Sequence, residues 1–155
     1  MTVFKNGLIS KQMNLNYLPD IDLLYIYLES NTPNIQTRTN YDGIFKFVAK
    51  ADKNKTVGYE IETASKNLSF VLSKFKLSSK EKLAVCLYYI RINKKNTQEQ
   101  MADLLQISLS KYKSLEKADH NINFDTLNSI FENFPEESIL ETVFHKVSYV
   151  LSIAA

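Results

Sequence analysis

Carboxylates are the side chains in the first half of the chain that could do chemistry. The candidates for a metal site are Asp20, Asp22, Asp42, Asp52 and Glu60, because oxygen ligands of this kind suit calcium or magnesium. No two of them have a spacing that strand geometry would force together, so solvated strand ends explain them better than a metal site does. The sequence therefore predicts no metal and no cofactor here.

Histidine, cysteine and glycine form no catalytic pattern either. His120 and His145 are far apart in sequence, and Cys86 is the only cysteine. A single cysteine excludes an internal disulfide and a multi-cysteine zinc site, and it is compatible with a reducing compartment. The three glycines are isolated from one another, so they form no phosphate-cradling loop. We therefore expect that the protein is not an enzyme.

Composition limits the classes of partner. The 155 residues are 45% apolar, enough for one good core or two small ones. With 19 basic and 17 acidic residues, the net charge of +2 creates no strong overall field toward nucleic acid or a membrane, so any binding face must be local. No apolar run approaches the roughly 20 residues of a membrane span. We expect a cytoplasmic protein with no membrane association.

The first half has the pattern of a small antiparallel sheet. Three apolar runs separated by turn residues are typical of strands: Leu23–Leu28, Ile44–Val48 and Val57–Ile61. A weaker run covers residues 13–18. From Ala64 to Phe75 the apolar residues recur every three or four positions, which predicts a helix with one apolar stripe. That stripe should cover one face of the sheet.

The second half is helical throughout. Two capping boxes and two further N-cap residues mark four helix starts: Ser78 with Glu81, Thr97 with Gln100, Ser108, and Asn123. A fifth helix is expected over Glu136–Ile153, since the acidic pair suits its positive end. The predicted fold class is α+β, with a sheet and covering helix at residues 1–77 and a five-helix domain at residues 78–155.

The segment from Thr97 to Phe134 resembles the helix-turn-helix of the lambda-repressor-like family. The matching residues are Thr97-Gln98, Ala102, Ile107-Ser108, Leu115-Glu116 and Asp125-Thr126-Leu127. Physical reasons support the match independently, because Ala102 is small where two helices cross. An apolar wedge should fix their angle: Met101, Leu105, Ile107, Tyr112, Leu115, Leu127 and Ile130. Helices at 80–92 and 124–133 would complete the core.

The resemblance implies that the second motif helix, about residues 108–117, lies in the major groove of DNA. The residues implied at or near the bases are Ser108, Leu109, Ser110, Lys111 and Lys113. Gln98 matches the family position that binds a backbone phosphate and braces the recognition helix, and further phosphate contacts are expected from Lys94, Lys95 and Lys117. Residues 80–120 contain eight basic and five acidic side chains, whereas residues 121–155 contain one and five. The basic character therefore lies where the DNA face is expected.

Two departures from the family pattern weigh against strong DNA binding. Gln106 and Ala118 stand where the family has glycine with a left-handed backbone, and each could cost on the order of 1 kcal/mol. The chain has only Arg38 and Arg91, neither on the proposed recognition helix, so bidentate arginine readout of guanine is missing. The alternative is an interaction protein, such as an inhibitor or adaptor of a mobile element, that keeps the fold without binding DNA.

The segment from Tyr17 to Lys66 resembles a small bacterial family of uncharacterised function. The matching residues are Tyr17, Asp22, Leu24-Tyr25-Ile26, Asp42-Gly43, Val57-Gly58-Tyr59-Glu60-Ile61 and Ala64-Ser65-Lys66, while Leu18 replaces an aspartate. This resemblance implies no activity, but it places a domain boundary near Leu77. The tyrosine-rich strand Leu24–Leu28 could stack bases as an RNA-binding sheet does. A paired strand in the core of the sheet explains its composition better.

The leading expectation is a transcriptional regulator that binds a double-stranded DNA operator. A homodimer is expected because one motif contacts only a half-site. The helix over Glu136–Ile153 is the expected dimer element, and the alternative is that its apolar stripe simply closes the core. The sheet domain would bind a protein partner or mediate self-association. An antitoxin that neutralises a toxin and regulates its own gene has this architecture.

Overall fold

The computed structural model describes residues 13–29 and 35–142 and has an α+β fold. Within these residues, five antiparallel strands form one sheet in the order β1-β2-β5-β4-β3: β1 Asn14–Leu18, β2 Leu23–Tyr27, β3 Ile35–Tyr41, β4 Ile44–Ala49 and β5 Thr56–Glu62. Five α-helices follow in the described part of the chain: α1 Ala64–Lys74, α2 Ser79–Asn93, α3 Gln98–Leu105, α4 Leu109–Glu116 and α5 Phe124–Asn133. Short 3₁₀ turns lie at Pro19–Ile21 and Ser138–Leu140.

The predicted sheet with a covering helix is confirmed. Leu24, Ile26 and Ile61 are fully buried on one face of the sheet, and the buried stripe of α1 contributes Leu68 and Leu72 to the same core cluster. Burying a large aliphatic side chain stabilises a fold by roughly 1.5 to 3 kcal/mol. Contact between these two apolar surfaces therefore supplies the main stabilisation of this layer.

Strand β3 is absent from the sequence prediction. Between Ile35 and Tyr41 at its two ends, the strand contains only polar residues. It lies at the sheet edge and pairs only with β4 among the described strands. An edge strand buries little surface, so its hydrophobic alternation is weak and easily mistaken for a loop.

Gly58 lies where two neighbouring strands leave no room for a side chain. A Cβ atom at this position would come within 2.4 Å of the backbone oxygen of Ile26 and 3.2 Å of the Phe47 ring. The Phe47 and Tyr27 rings stack beside it with centroids 6.0 Å apart. The glycine thus permits close approach of β2 to β5, which a larger residue would prevent.

We expect Gly58→Ala to lower the free energy of unfolding by about 2 kcal/mol, because backbone atoms cannot move aside as a flexible side chain can. Chemical denaturation followed by circular dichroism measures the change. Gly43→Ala is the matched control. Gly43 has φ +77°, and the atom nearest to an added Cβ would be the side-chain nitrogen of Asn67, so only about 1 kcal/mol of backbone strain is expected there. Equal losses in the two variants would contradict the close-approach explanation.

Helix α1 receives its N-terminal cap from a residue distant in sequence. Thr63 precedes the helix in a left-handed conformation and makes no side-chain cap. Asp22 replaces it: its backbone oxygen accepts from the Ala64 amide at 2.9 Å, and its carboxylate accepts from the Ser65 amide at 3.1 Å and the Ser65 hydroxyl at 2.5 Å. The carboxylate also accepts from the Tyr17 hydroxyl at 2.8 Å. Asp22 therefore ties α1 to the turn between β1 and β2.

Tyr17, Asp22 and Ser65 all belong to the N-terminal sequence resemblance, and the structure places them in one hydrogen-bonded cluster. Burial, together with the hydrogen bond to Asp22, raises the pKa of the Tyr17 hydroxyl, so it stays protonated and can donate. These positions are therefore explained by their structural role at the start of α1.

Replacing Asp22 by asparagine should lower the free energy of unfolding by about 1 kcal/mol, the usual value of a helix cap, because an amide cannot accept from three donors at once. Urea denaturation at neutral pH measures the change. Asp20→Asn is the matched control, since Asp20 is an exposed carboxylate of the same turn. No difference between these variants would contradict the capping role.

The two halves of the chain pack on each other. The Tyr17 amide of β1 donates to the Tyr88 hydroxyl of α2 at 3.0 Å, and the Tyr17 and Tyr89 rings lie 5.0 Å apart between centroids. One core cluster contains buried residues from both halves. The boundary predicted near Leu77 stays a prediction, and the core continues across it.

Four of the five helix starts predicted in the second half are confirmed. Both capping boxes are present, and the side chains of Ser108 and Asn123 accept from the amides three residues later. The fifth helix, expected over Glu136–Ile153, does not begin at Glu136: residues 135 and 136 form a turn, a 3₁₀ turn follows at Ser138–Leu140, and residues 141 and 142 are helical. Residues 143–153 of the expected helix lie outside the described residues. Within the described chain, no helix is long and apolar enough to cross a membrane.

Candidate nucleic-acid interface

Helices α3 and α4 follow each other in the chain and pack together. They are joined by Gln106, Ile107 and Ser108. Ile107 of the predicted apolar wedge is half-buried. The other residues of the wedge are buried: Met101, Leu105, Tyr112, Leu115, Leu127 and Ile130. Ala102, only 2% exposed, allows close packing where the helices cross. Short helices of this kind depend on such packing for their stability.

Helix α4 has one buried and one exposed face. Tyr112, Leu115 and Glu116 point into the core. On the opposite face Ser110, Lys113 and Lys117 are exposed. An open groove of about 410 Å³ runs along this exposed face, lined by Leu109, Ser110, Lys113, Ser114, Lys117 and Asp119. Four of the sequence-predicted DNA-binding residues are thus brought together on one surface: Leu109, Ser110, Lys113 and Lys117.

Glu116 is a buried charged residue of α4, with 6% of its side chain exposed. Arg91 of α2 donates to it twice, from Nε at 2.7 Å and from Nη2 at 3.0 Å. Gln98 of α3 donates from Nε2 at 3.0 Å, and the Tyr112 hydroxyl donates at 2.5 Å. One carboxylate therefore connects α2, α3 and α4, and a two-pronged arginine pair fixes its orientation.

The ionisation of these groups matches their hydrogen bonds. Burial opposes the positive charge of Arg91, but the hydrogen bonds and charge of Glu116 outweigh it and raise the pKa of the guanidinium. Burial, and then the Glu116 charge, raises the pKa of the Tyr112 hydroxyl. Tyr112 therefore stays a neutral donor and Arg91 a cation across the physiological pH range. The Arg91 guanidinium also lies 5.4 Å from the centre of the Tyr88 ring.

The other sequence-predicted DNA-binding residues have different surroundings. Gln98 is half-buried, and its amide nitrogen contacts Glu116, which corresponds to the bracing part of its predicted role. Ser108 caps α4 by accepting from the Lys111 amide, and Lys111 is half-buried at the border of the exposed face. Lys95 is exposed, with a left-handed backbone at φ 59°.

Lys94 is held by two acidic residues. Its ammonium lies 3.2 Å from Glu136 and 3.7 Å from Glu137. A backbone hydrogen bond, and then Lys94, lowers the pKa of the Glu136 carboxyl. The charge of Lys94 is therefore partly compensated within the chain, which leaves it a weaker phosphate ligand than Lys113 or Lys117.

The left-handed backbone expected at the two glycine replacements is confirmed. Gln106 has φ 59° and ψ 42° at the end of α3, and Ala118 has φ 60° after α4. The Gln106 amide donates to the Asp103 oxygen at 3.2 Å, and the Ala118 amide donates to the Leu115 oxygen at 3.2 Å. These bonds close each helix despite the strain of a Cβ atom in this conformation.

The sequence prediction did not identify Arg91 with Glu116 as a buried pair. A signal for Glu116 was available, because Tyr112, Leu115 and Glu116 are spaced to share one helix face. Arg91 lies 25 residues before Glu116 in the chain, on a different helix, and no periodicity relates the two positions. Among residues 13–29 and 35–142, no group of three histidine, cysteine or acidic residues could hold a metal ion.

Comparisons of the chain with models of protein families, with curated proteins and with solved structures found no match.

Removing one partner of the buried pair should be costly. We expect Arg91→Met to lower the free energy of unfolding by about 3 kcal/mol, because it leaves the Glu116 carboxylate buried without a counter-charge. Adding Glu116→Gln should recover at least about 1 kcal/mol by removing that charge. Denaturant titration of both variants measures the difference.

The matched control for Arg91→Met is Lys94→Met, which removes the exposed ion pair between Lys94, at the C-terminal end of α2, and Glu136. Little change is expected, since solvent already screens that pair. The buried-pair explanation fails if Lys94→Met destabilises as much as Arg91→Met, or if the double variant is less stable than Arg91→Met alone.

Gln106→Gly and Ala118→Gly should each raise the free energy of unfolding by up to about 1 kcal/mol, since glycine adopts the left-handed conformation without strain. Lys113→Gly, in the interior of α4, should lower it by about 1 kcal/mol. Thermal denaturation distinguishes the two signs. Stabilisation by Lys113→Gly, or destabilisation by both other changes, would contradict the backbone-strain explanation.

Proposed function

We propose that the protein is a sequence-specific DNA-binding transcriptional regulator and that α4 is its recognition helix. The supporting observation is the division of α4 into two faces: the inner face is held by the core and by Glu116, while the outer face presents Ser110, Lys113 and Lys117 beside an open groove. A rigid helix with exposed polar and basic residues is suited to the major groove.

The residues of the exposed face set the expected mode of binding. Ser110 can donate to or accept from base edges, Leu109 can contact a thymine methyl group, and Lys113 and Lys117 can reach guanine or phosphate. Asp119, at the end of the same groove, opposes phosphate binding there. Without arginine on α4, we expect modest affinity per helix. Two copies on adjacent half-sites would then be needed for specific binding.

The test is fluorescence polarisation with double-stranded DNA from upstream of the protein's own gene, at several salt concentrations. We expect salt-sensitive binding by the wild type, because phosphate contacts release counterions. Lys111→Glu with Lys113→Glu should abolish it, since each change reverses a charge at or beside the proposed face.

The matched control is Lys66→Glu with Lys74→Glu, an equal change of charge on exposed residues of α1. This variant should bind nearly as well as the wild type. Equal loss in both variants would indicate nonspecific attraction, and no salt-sensitive binding to any DNA would exclude the regulator.

A second candidate is an interaction protein that keeps this fold without binding DNA. Two observations favour it: the Gln98 amide nitrogen is used internally by Glu116, and Lys94 is paired with acidic residues. Such a protein would act as an inhibitor or adaptor in the cytoplasm. The same polarisation assay separates the candidates, because this one predicts no DNA binding at any salt concentration.

An antitoxin is the form of regulator that also uses the sheet domain, with a toxin as its protein partner. A short reading frame next to this gene that arrests growth when expressed alone would support it. Co-expression should then restore growth, and the two proteins should co-purify. A neighbouring frame with no effect on growth would favour a general repressor that acts in the cytoplasm.

A further inference from the structure

The two faces of the sheet have different surroundings. Helix α1 packs on the face that carries Leu24 and Ile26, which are fully buried. Side chains alternate between the two faces along a strand, so Tyr25 and Tyr27 of β2 point to the opposite face, which we call the outer face. Both tyrosine side chains are only half-buried. The outer face is therefore partly open to solvent.

A row of parallel aromatic rings lies on the outer face. Tyr27, Gly58 of β5 and Phe47 of β4 are in register. Because Gly58 has no side chain, the rings of Tyr27 and Phe47 stack across it with centroids 6.0 Å apart. The Tyr25 ring extends the row, 6.0 Å from that of Tyr27. Phe47 is buried although it lies outside the core cluster that joins the sheet to α1. The outer face thus has an aromatic cluster of its own.

A carboxylate lies beside these rings. Glu60 of β5 is in register with Tyr25 on one side and with Phe45 of β4 on the other. All three side chains are half-buried. Burial, and then the Glu60 charge, raises the pKa of the Tyr25 hydroxyl, so this hydroxyl stays a neutral donor to Glu60. A carboxylate has about four acceptor positions, so Glu60 can accept from a ligand as well.

The charge of the outer face is acidic. Besides Glu60, strand β5 places the exposed Glu62 on this face. No lysine or arginine is among the described side chains that the five strands direct to it. Lys55, just before β5, is paired with Glu29 at 3.1 Å. This charge disfavours single-stranded nucleic acid, because its binding to stacked aromatic residues needs a basic groove.

We propose that the outer face binds a basic, arginine-bearing segment of a partner protein. A guanidinium can stack on an aromatic ring and donate two parallel hydrogen bonds to a carboxylate. Tyr25 and Glu60 hold these two groups side by side in register. An ammonium cannot stack as a planar group, so arginine is favoured over lysine. The complementary charge also raises the rate of encounter and excludes acidic partners.

The proposal gives a chemistry to the protein partner that is expected for the sheet domain. Aromatic residues on one side and arginine on the other are the pair that most often dominates protein interfaces. None of the residues that carry this proposal belongs to α3 or α4. Its success or failure is therefore independent of DNA binding by α4.

The test is fluorescence polarisation of the full chain with a labelled peptide in which arginine alternates with serine. We expect binding that weakens as salt is added, because salt screens the attraction between the peptide and the carboxylates. Tyr25→Thr together with Glu60→Gln should weaken binding roughly tenfold, since it removes both the stacking ring and the charge. Threonine suits a strand, which favours folding of this double variant.

Two matched control variants separate recognition from general effects. Tyr25→Phe retains the ring and should bind the arginine peptide nearly as well as the wild type. Glu132→Gln removes an equal charge from an exposed residue of α5 and should leave binding unchanged. A peptide with glutamate in place of arginine should not bind. Circular dichroism establishes that each variant is folded.

Nuclear magnetic resonance of the wild type gives a second measurement if the double variant does not fold. The arginine peptide should shift the ring resonances of Tyr25 and Tyr27, while those of the buried Tyr112 stay unchanged.

Four results would overturn the proposal: no binding of the arginine peptide by the wild type, full binding by the folded double variant, equal loss in Glu132→Gln, or unchanged Tyr25 and Tyr27 resonances. Binding of single-stranded oligothymidylate that Tyr25→Thr abolishes would also overturn it, in favour of a nucleic-acid surface.

Discussion

The Glu116 carboxylate is the interaction on which the geometry of the second half depends. Placing a charge in the core costs several kcal/mol, and only a partner of opposite charge with good geometry offsets that cost. Arg91 supplies the charge, and Gln98 and Tyr112 supply further hydrogen bonds. Apolar packing alone tolerates small rotations of a helix, whereas directed bonds to one carboxylate do not. The orientation of α4, and hence the surface it presents, follows from this contact.

The turns that follow α3 and α4 have a strained backbone. The backbone at Gln106 and Ala118 is left-handed although neither residue is glycine. Each strained turn brings the next helix back against the core, where buried side chains of α3, α4 and α5 compensate for it. The arrangement thus combines unfavourable turns with favourable burial.

The sheet is linked to the helices through the same region. Tyr17 donates from its hydroxyl to Asp22 and from its amide to Tyr88, whose ring faces Arg91. A continuous series of contacts therefore runs from the N-terminus of α1 to Glu116. Helix α2 thereby lies against the sheet edge at β1, and among the described strands β3 forms the other edge.

Capping residues and apolar spacing determined most of the elements from the sequence: four helix starts, the covering helix and four of the five strands, because these signals are local. The left-handed turns at Gln106 and Ala118 could also be predicted, through the family resemblance. Strand β3, the Asp22 cap and the Arg91–Glu116 pair could not be predicted. Only the tertiary structure decided these contacts, because each joins residues that no local periodicity relates and depends on how separate elements pack.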